Sequence, residues 1–388
     1  MNRAQKIEIL KALAISTSII ALKKIMLSQS RSTNELTPSS SPTFPQPPSP
    51  IAQIRASQFL LFAGSLVGIL LLRKKRLQFK GKSIVITGGS RGLGLALAQC
   101  LLEEGASVTL LARDPEELRK ARNKLYMFTK QIFDVTCDIT HQQQLEFALA
   151  EARAKFGKID ILINNAGSLT AGPLNSLTDN DFQNQMNVHY FSAINAIRAI
   201  RPYFHQQGGG IVVNISSIGG LLPLPYLSAH CGSKFALGGA SESLAIELRK
   251  EGIQLTTIYP GFMRTGSTKN AQFKNQNNSL QKWVRALDNL PVLSISPRHA
   301  AKKILSAVAL GKSHLVLTAP AKLGVWFHML FPETYSWTIA AVDNMILQEK
   351  KNRPLSQLIG DPSKHRRLWF SPVQWAQERA EEENNQLH

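Results

Sequence analysis

The chain has 388 residues, 44% of them hydrophobic and 18% charged, which excludes a disordered, collagen-like or coiled-coil protein and leaves room for one large domain or two ordinary ones. Three widely spaced cysteines, Cys100, Cys137 and Cys231, support neither a disulfide framework nor a paired-thiol zinc site, and no other motif points to a metal. The formal net charge of +19 raises nucleic acid as a partner, but residues 1–80 hold 12 Lys and Arg against only Glu8 and Glu35, so +10 sits in a fifth of the chain.

The first 55 residues carry an apolar run, Ala12–Leu22, between Lys11 and Lys23-Lys24. It is short for a membrane span and fits a signal-like region, an interfacial helix, part of a second span or a transit peptide equally well. Thr37–Pro50, TPSSSPTFPQPPSP, reads as a semi-rigid linker. Segment 56–76 is predicted to be a transmembrane helix: Ala56–Leu72 is free of charge and closes on Arg73, Lys74, Lys75 and Arg76. That basic flank places everything after it on the cytoplasmic side, where membrane lipid is its neighbour and no nucleic-acid motif competes.

From Gly81 the chain alternates strand and helix. Strands are predicted at Lys82–Thr87, Ser107–Ala112, Gln131–Thr136, Ile159–Ile163, Gly210–Ile215 and Gln254–Ile258. Between them fall helices near Leu93–Glu104, from Asp114, His141–Phe156, Asp179–Phe204 and Ser228–Lys250. The rhythm predicts a doubly wound, Rossmann-type α/β domain over 81–318, because each crossover helix returns the chain to the same strand direction. Residues 319–388 form an extension in which Pro332-Glu333 interrupts the aromatic-rich stretch Leu323–Leu347. An interfacial helix pair, a cap over a substrate cleft and ordinary core packing all fit it.

The first strand runs into Thr87-Gly88-Gly89-Ser90-Arg91-Gly92-Leu93-Gly94. Such a loop between strand and helix lets backbone N–H groups and the helix dipole receive a pyrophosphate. The second strand ends at Arg113, where an acid would bond the ribose 2′-hydroxyl of NAD; Arg113 and Arg91 instead offer two cations to a 2′-phosphate, which points to NADP(H).

At this point the sequence resembles the short-chain dehydrogenase/reductase family, over roughly Lys82–Thr318. Thr87, Gly88, Gly92 and Gly94 match its glycine loop, Asp138 its adenine-contacting aspartate, and Asn164, Asn165, Ala166 and Gly167 its NNAG motif. The resemblance assigns Asn187 to the catalytic-helix asparagine, Ser217 to the substrate-orienting serine and Lys234 to the lysine on the nicotinamide ribose. It assigns Pro260, Gly261 and Thr265 to the nicotinamide loop, and Lys269–Lys282 to a lid.

The departure is at the general acid. Four residues before Lys234, where the family has tyrosine, this chain has His230. An imidazolium is a competent acid, but the lysine ammonium opposes a second charge, and imidazole is roughly 2 Å shorter than a phenol, outside direct hydrogen-bond reach unless water bridges. Tyr226 is a second phenol candidate, although no helical spacing pairs it with Lys234. Cys231 reads as a packing residue, and His189 and His205 as surface or packing residues. The resemblance and the expected anchor together imply a membrane-anchored NADP(H)-dependent oxidoreductase that interconverts carbonyl and hydroxyl on a lipophilic substrate, and they are compatible with a homodimer. The alternative is a catalytically silent NADP(H)-binding scaffold or redox sensor of the same family.

Overall fold

The computed structural model describes residues 76–264, 270–274 and 294–352, with side chains as far as Asp343. The N-terminal run, the linker and nearly all of segment 56–76 lie outside the described residues, as do Thr265 and residues 353–388. Among the described residues no helix is long and apolar enough to cross a membrane.

The elements are β1 (Ser83–Thr87), α1 (Gly92–Glu103), β2 (Ser107–Ala112), α2 (Pro115–Tyr126), β3 (Ile132–Thr136), α3 (Gln142–Phe156) and β4 (Ile161–Asn164). They continue with β5 (Thr170–Ala171), α4 (Asp179–Met186), a π turn (Asn187–Phe191), α5 (Ser192–Gln206), β6 (Gly210–Ile215), a 3-10 turn (Ile218–Gly220), α6 (Ser228–Arg249) and β7 (Ile253–Tyr259). Last come β8 (Gln272–Phe273), α7 (Pro297–Ala309), β9 (His314–Val316), α8 (Ala319–Leu330) and α9 (Pro332–Asn352).

Seven strands form one parallel sheet in the order β3-β2-β1-β4-β6-β7-β9. The reversal of winding between β1 and β4 opens a crevice at the carboxyl ends of those strands, where an α/β sheet binds its ligand. The alternation of β1 shows why the sheet is covered twice: Ile84 and Ile86 join Leu97, Leu101, Leu118 and Ile304 on one face, and Val85 joins Leu145, Leu149, Ile200 and Phe204 on the other. Each such side chain stabilises the fold by roughly 1.5–3 kcal/mol through burial.

The long helix expected over Asp179–Phe204 is divided. A capping box between Thr178 and Asp181 starts α4, and the π turn at Asn187–Phe191 separates it from α5. The wider i→i+5 bonding of that turn offsets the faces of α4 and α5. Of the expected lid, residues 270–274 are described, and β8 within them pairs in parallel with β5. The extension packs against the domain: Val325 of α8 and Tyr335 of α9 cluster with Ile218 and Leu222 of the loop between β6 and α6.

Candidate active site

The glycine loop is built by close approach. Gly88 and Gly92 have φ of +64° and +58°, in the region that favours glycine. A Cβ on Gly94 would lie 2.1 Å from the Gly88 carbonyl oxygen and 2.7 Å from Asn165 Nδ2, so the first turn of α1 sits directly on the loop. The NNAG segment ties the loop down: the Thr87 hydroxyl accepts from the Asn165 and Ala166 N–H groups at 3.0 and 3.1 Å, and Asn165 Nδ2 donates to the Thr87 and Gly88 carbonyls at 3.1 and 3.0 Å. Arg91 occupies the cap position of α1 and its side chain makes no cap bond to the first-turn N–H groups. Those groups are the donor set a pyrophosphate needs.

Arg91 and Ser90 both reach α2. Arg91 meets Glu117 at 2.7 Å and the Ser90 hydroxyl donates to Glu117 at 3.0 Å. Arg113 is exposed at the end of β2. Asp138 accepts from the Thr140 N–H and hydroxyl at 2.9 and 2.7 Å; burial pushes its carboxyl up, but these two bonds and the charges of Arg113 and His141 bring it below the usual carboxylate range. The two arginines assigned to a 2′-phosphate therefore differ, Arg91 being ion-paired and Arg113 facing solvent.

Around the expected reaction centre, Ser217, His230 and Lys234 come together. A Cβ on Gly219 would lie 3.4 Å from His230 Cδ2 and 3.5 Å from Ser217 Oγ, so both side chains border one point. Ser217 Oγ also accepts from the Gly219 N–H at 3.1 Å. Lys234 is 5% exposed and donates from Nζ to the Ile215 carbonyl at 2.9 Å; burial alone pushes its ammonium down to about 7. A Cβ on Gly167 would lie 3.9 Å from that Nζ, which places the end of the NNAG motif beside it. Asn187 opens the π turn and accepts from Gln183 at 2.9 Å. Pro260 is buried, its carbonyl accepting from the Ile218 N–H, and Gly261 abuts Thr318 and Ala321 at the start of α8.

Burial and the Lys234 ammonium push the His230 imidazole down to about 3, with only the Ser168 backbone acting in the opposite direction. Both causes favour the uncharged ring near neutral pH and oppose an imidazolium acid. Its Nδ1 is buried with no hydrogen-bond partner among the described residues. Tyr226 does not replace it: its hydroxyl donates to Asp343 on α9 at 2.8 and 3.0 Å, and burial, then Asp343, pushes that phenol up to about 12. Cys231 is buried as a packing residue, and His205 is half-exposed against Glu251 at 2.9 Å.

His189 has more structure around it than its sequence context signals. It is 2% exposed, stands edge-on to His230 with ring centroids 5.2 Å apart, and accepts at Nε2 from the Ser168 N–H at 3.2 Å. Ser233 Oγ spends its proton on the His230 carbonyl at 2.8 Å, so the 2.8 Å contact to His189 requires Nδ1 to donate. One neutral tautomer is thereby fixed, and burial, Lys234 and His230 hold the imidazole well below its usual range. Asn214 is a second residue missed in the sequence; it accepts from Asn164 at 2.9 Å and donates to Ser241 at 2.8 Å, bracing β4, β6 and α6 together.

The family model for short chain dehydrogenase matches residues 82–276. The chain belongs to the short-chain dehydrogenase family of oxidoreductases. A 3-ketodihydrosphingosine reductase of Bacteroides thetaiotaomicron is 32% identical over 267 residues, covering 68% of this chain and 94% of the relative. Oxidoreductase BOA17 of Botryotinia fuckeliana is 39% identical over 181 residues, which span 46% of this chain and 65% of that one. Among solved structures, a short-chain dehydrogenase/reductase from Burkholderia phymatum in complex with NAD has a TM-score of 0.62 at 23% identity, over 66% of this chain and 96% of its own. One from Burkholderia cenocepacia in complex with NADP has a TM-score of 0.56 at 26% identity, over 68% and 99%.

Proposed function

We propose that the protein is an NADP(H)-dependent oxidoreductase that interconverts a carbonyl and a hydroxyl on a lipophilic substrate at a membrane. The observation that carries this reading is the convergence of Ser217 and His230 on the point beside Gly219, with Lys234 one helical turn beyond His230. A nicotinamide cofactor, when bound, would supply or accept the hydride. The glycine loop and the first-turn N–H groups of α1 would hold its pyrophosphate, and exposed Arg113, with Arg91 once it leaves Glu117, would receive the 2′-phosphate.

Ser217 donates a hydrogen bond to the carbonyl oxygen, and neutral His230 packs beside it. Lys234 supplies the proton on reduction and takes it back on oxidation, because it is the group whose proton exchanges near neutral pH. Carbonyl, hydride and this proton balance to the alcohol. The lipophilic substrate and the membrane are supported by the outer surface of α8 and α9, where Leu323, Trp326, Leu330, Phe331 and Trp337 are exposed while the inner side touches the loop after Ser217. The likeness to a 3-ketodihydrosphingosine reductase puts that ketone first on the panel to be tried.

The test is NADPH oxidation by the full chain in detergent micelles with long-chain ketones and aldehydes. Turnover abolished by Ser217→Ala, and falling as pH rises through about 7, is the expected result. A rate unaffected by Ser217→Ala refutes the site. The uncharged His230 favours a second reading, a silent NADP(H)-binding protein; NADPH binding without turnover on any substrate is its signature.

A further inference from the structure

The first turn of α6 carries His230, yet the helix starts without a side-chain cap: Leu227 occupies the cap position and makes no such bond. The residue before it, Tyr226, is the one non-glycine among the described residues with a left-handed backbone, at φ +63°. A bulky side chain disfavours that conformation and keeps it only where its surroundings impose it. Three contacts do so. The Tyr226 carbonyl accepts from the Gly172 N–H at 2.8 Å, its hydroxyl donates to both Asp343 oxygens, and three residues upstream the Pro223 carbonyl accepts from the Tyr335 hydroxyl at 2.9 Å. Two of these come from α9, outside the part of the chain that the family model matches.

We propose that Tyr226 and Asp343 are positioning residues: the hydroxyl–carboxylate bond makes the C-terminal hairpin a clamp that fixes the start of α6, and so holds His230 against Ser217. In place of a conventional cap, the helix start is anchored to an element more than a hundred residues away in sequence. Lys234 lies outside the clamp's reach, because the Ile215 carbonyl of β6 holds it independently. The glycine loop, at the carboxyl end of β1, is held by Asn165 and Ala166 and is also independent. The clamp therefore acts on the substrate half of the site and leaves the cofactor half alone.

The proposal rests on the reductase reading for its kinetic readout only, and the test separates the two. Hydrogen exchange is measured on the full-length protein in micelles for wild type, Tyr226→Phe, Asp343→Ala and Asp343→Asn. Loss of a hydrogen bond to a carboxylate shifts a local opening equilibrium by about 10- to 100-fold. Tyr226→Phe and Asp343→Ala are expected to speed exchange over 221–231 by that factor while exchange in α1 and NADPH binding stay as in wild type. Asp343→Asn, whose amide oxygen still accepts from the phenol, is expected to restore most of the protection. In turnover, kcat falls and the KM for NADPH does not move. Unchanged exchange over 221–231 in both disruptive variants overturns the clamp. So does loosening that Asp343→Asn fails to rescue, or that spreads to α1. If wild type turns over no carbonyl, the reductase reading falls and the exchange experiment still decides the clamp.

Discussion

Replacing Lys234 by methionine should make the protein more stable and less able to bind cofactor. The ammonium is buried, and burial pushes it from 10.5 down to about 7, a difference of about 3.5 pH units. At 1.36 kcal/mol per unit this is at most ~5 kcal/mol held against the folded state when the lysine is charged in both states. Methionine has a similar length and no charge, but it leaves the Ile215 carbonyl without its donor, which costs about 1–3 kcal/mol. The net gain is about 2–4 kcal/mol, and its sign depends on pH. Below pH 7 folded and unfolded chains both carry the proton, so the penalty on wild type is complete. Between 7 and 10.5 the unfolded chain binds more protons than the folded one, so wild type gains stability as pH rises. Above 10.5 both forms are neutral and only the unbonded carbonyl separates the two proteins, now to the disadvantage of methionine. Urea unfolding of both proteins in micelles without cofactor, at about pH 6 and about pH 9, measures the gap directly. A methionine variant less stable than wild type at the lower pH, or a gap that does not narrow at the higher, would refute the account of Lys234 as a destabilising group kept for function.

Three further outcomes are expected. Arg113→Asp weakens NADPH binding by about 10- to 100-fold, as loss of a charge-assisted bond implies, and leaves NADH binding unchanged or tighter in a fluorescence titration. Gly94→Ala forces a methyl to within 2.1 Å of the Gly88 carbonyl, so it costs about 1–3 kcal/mol in urea unfolding and also weakens NADPH binding, because the loop that yields is the one that holds the phosphates. His230→Tyr, assayed on the same carbonyl panel, raises turnover by restoring a phenol next to Lys234; activity in this variant with none in wild type would establish the silent reading.

The parallel sheet, its helices on both faces and the glycine loop were legible in the sequence because each depends on local pattern. Ile84, Val85 and Ile86 alternate between two cores, and the glycines stand where backbone must touch backbone. Helix α7, not among the predicted helices, carries the same kind of local signal: Ser296 caps it, Pro297 follows at the first turn, and Ala300, Ala301, Ile304, Leu305 and Val308 repeat at helical spacing. The π turn was not legible, since a one-residue change in bonding leaves no mark on apolar periodicity. Nor was the environment of His189, whose partners Ser168 and Ser233 lie on two other segments. Tyr226 could be singled out as a phenol near the site, but its partner Asp343 is visible only once α9 is folded back on the loop.

The exchange of tyrosine for histidine changes the electrostatics of the site as well as its shape. A phenol beside an ammonium is drawn toward its anion, so such a pair favours opposite charges and each group stabilises the other. An imidazole beside the same ammonium can carry only a like charge, so the pair settles with one partner neutral. Burial makes that partner His230, at about 3, and leaves Lys234, at about 7, as the group that exchanges a proton near neutrality. The edge-on ring of His189, held neutral by burial and fixed in one tautomer by Ser168 and Ser233, adds no charge that would reverse this order. If the site reduces a carbonyl with Lys234 as the proton source, the rate should follow the titration of Lys234. A rate controlled by His230 would instead vanish far below neutral pH.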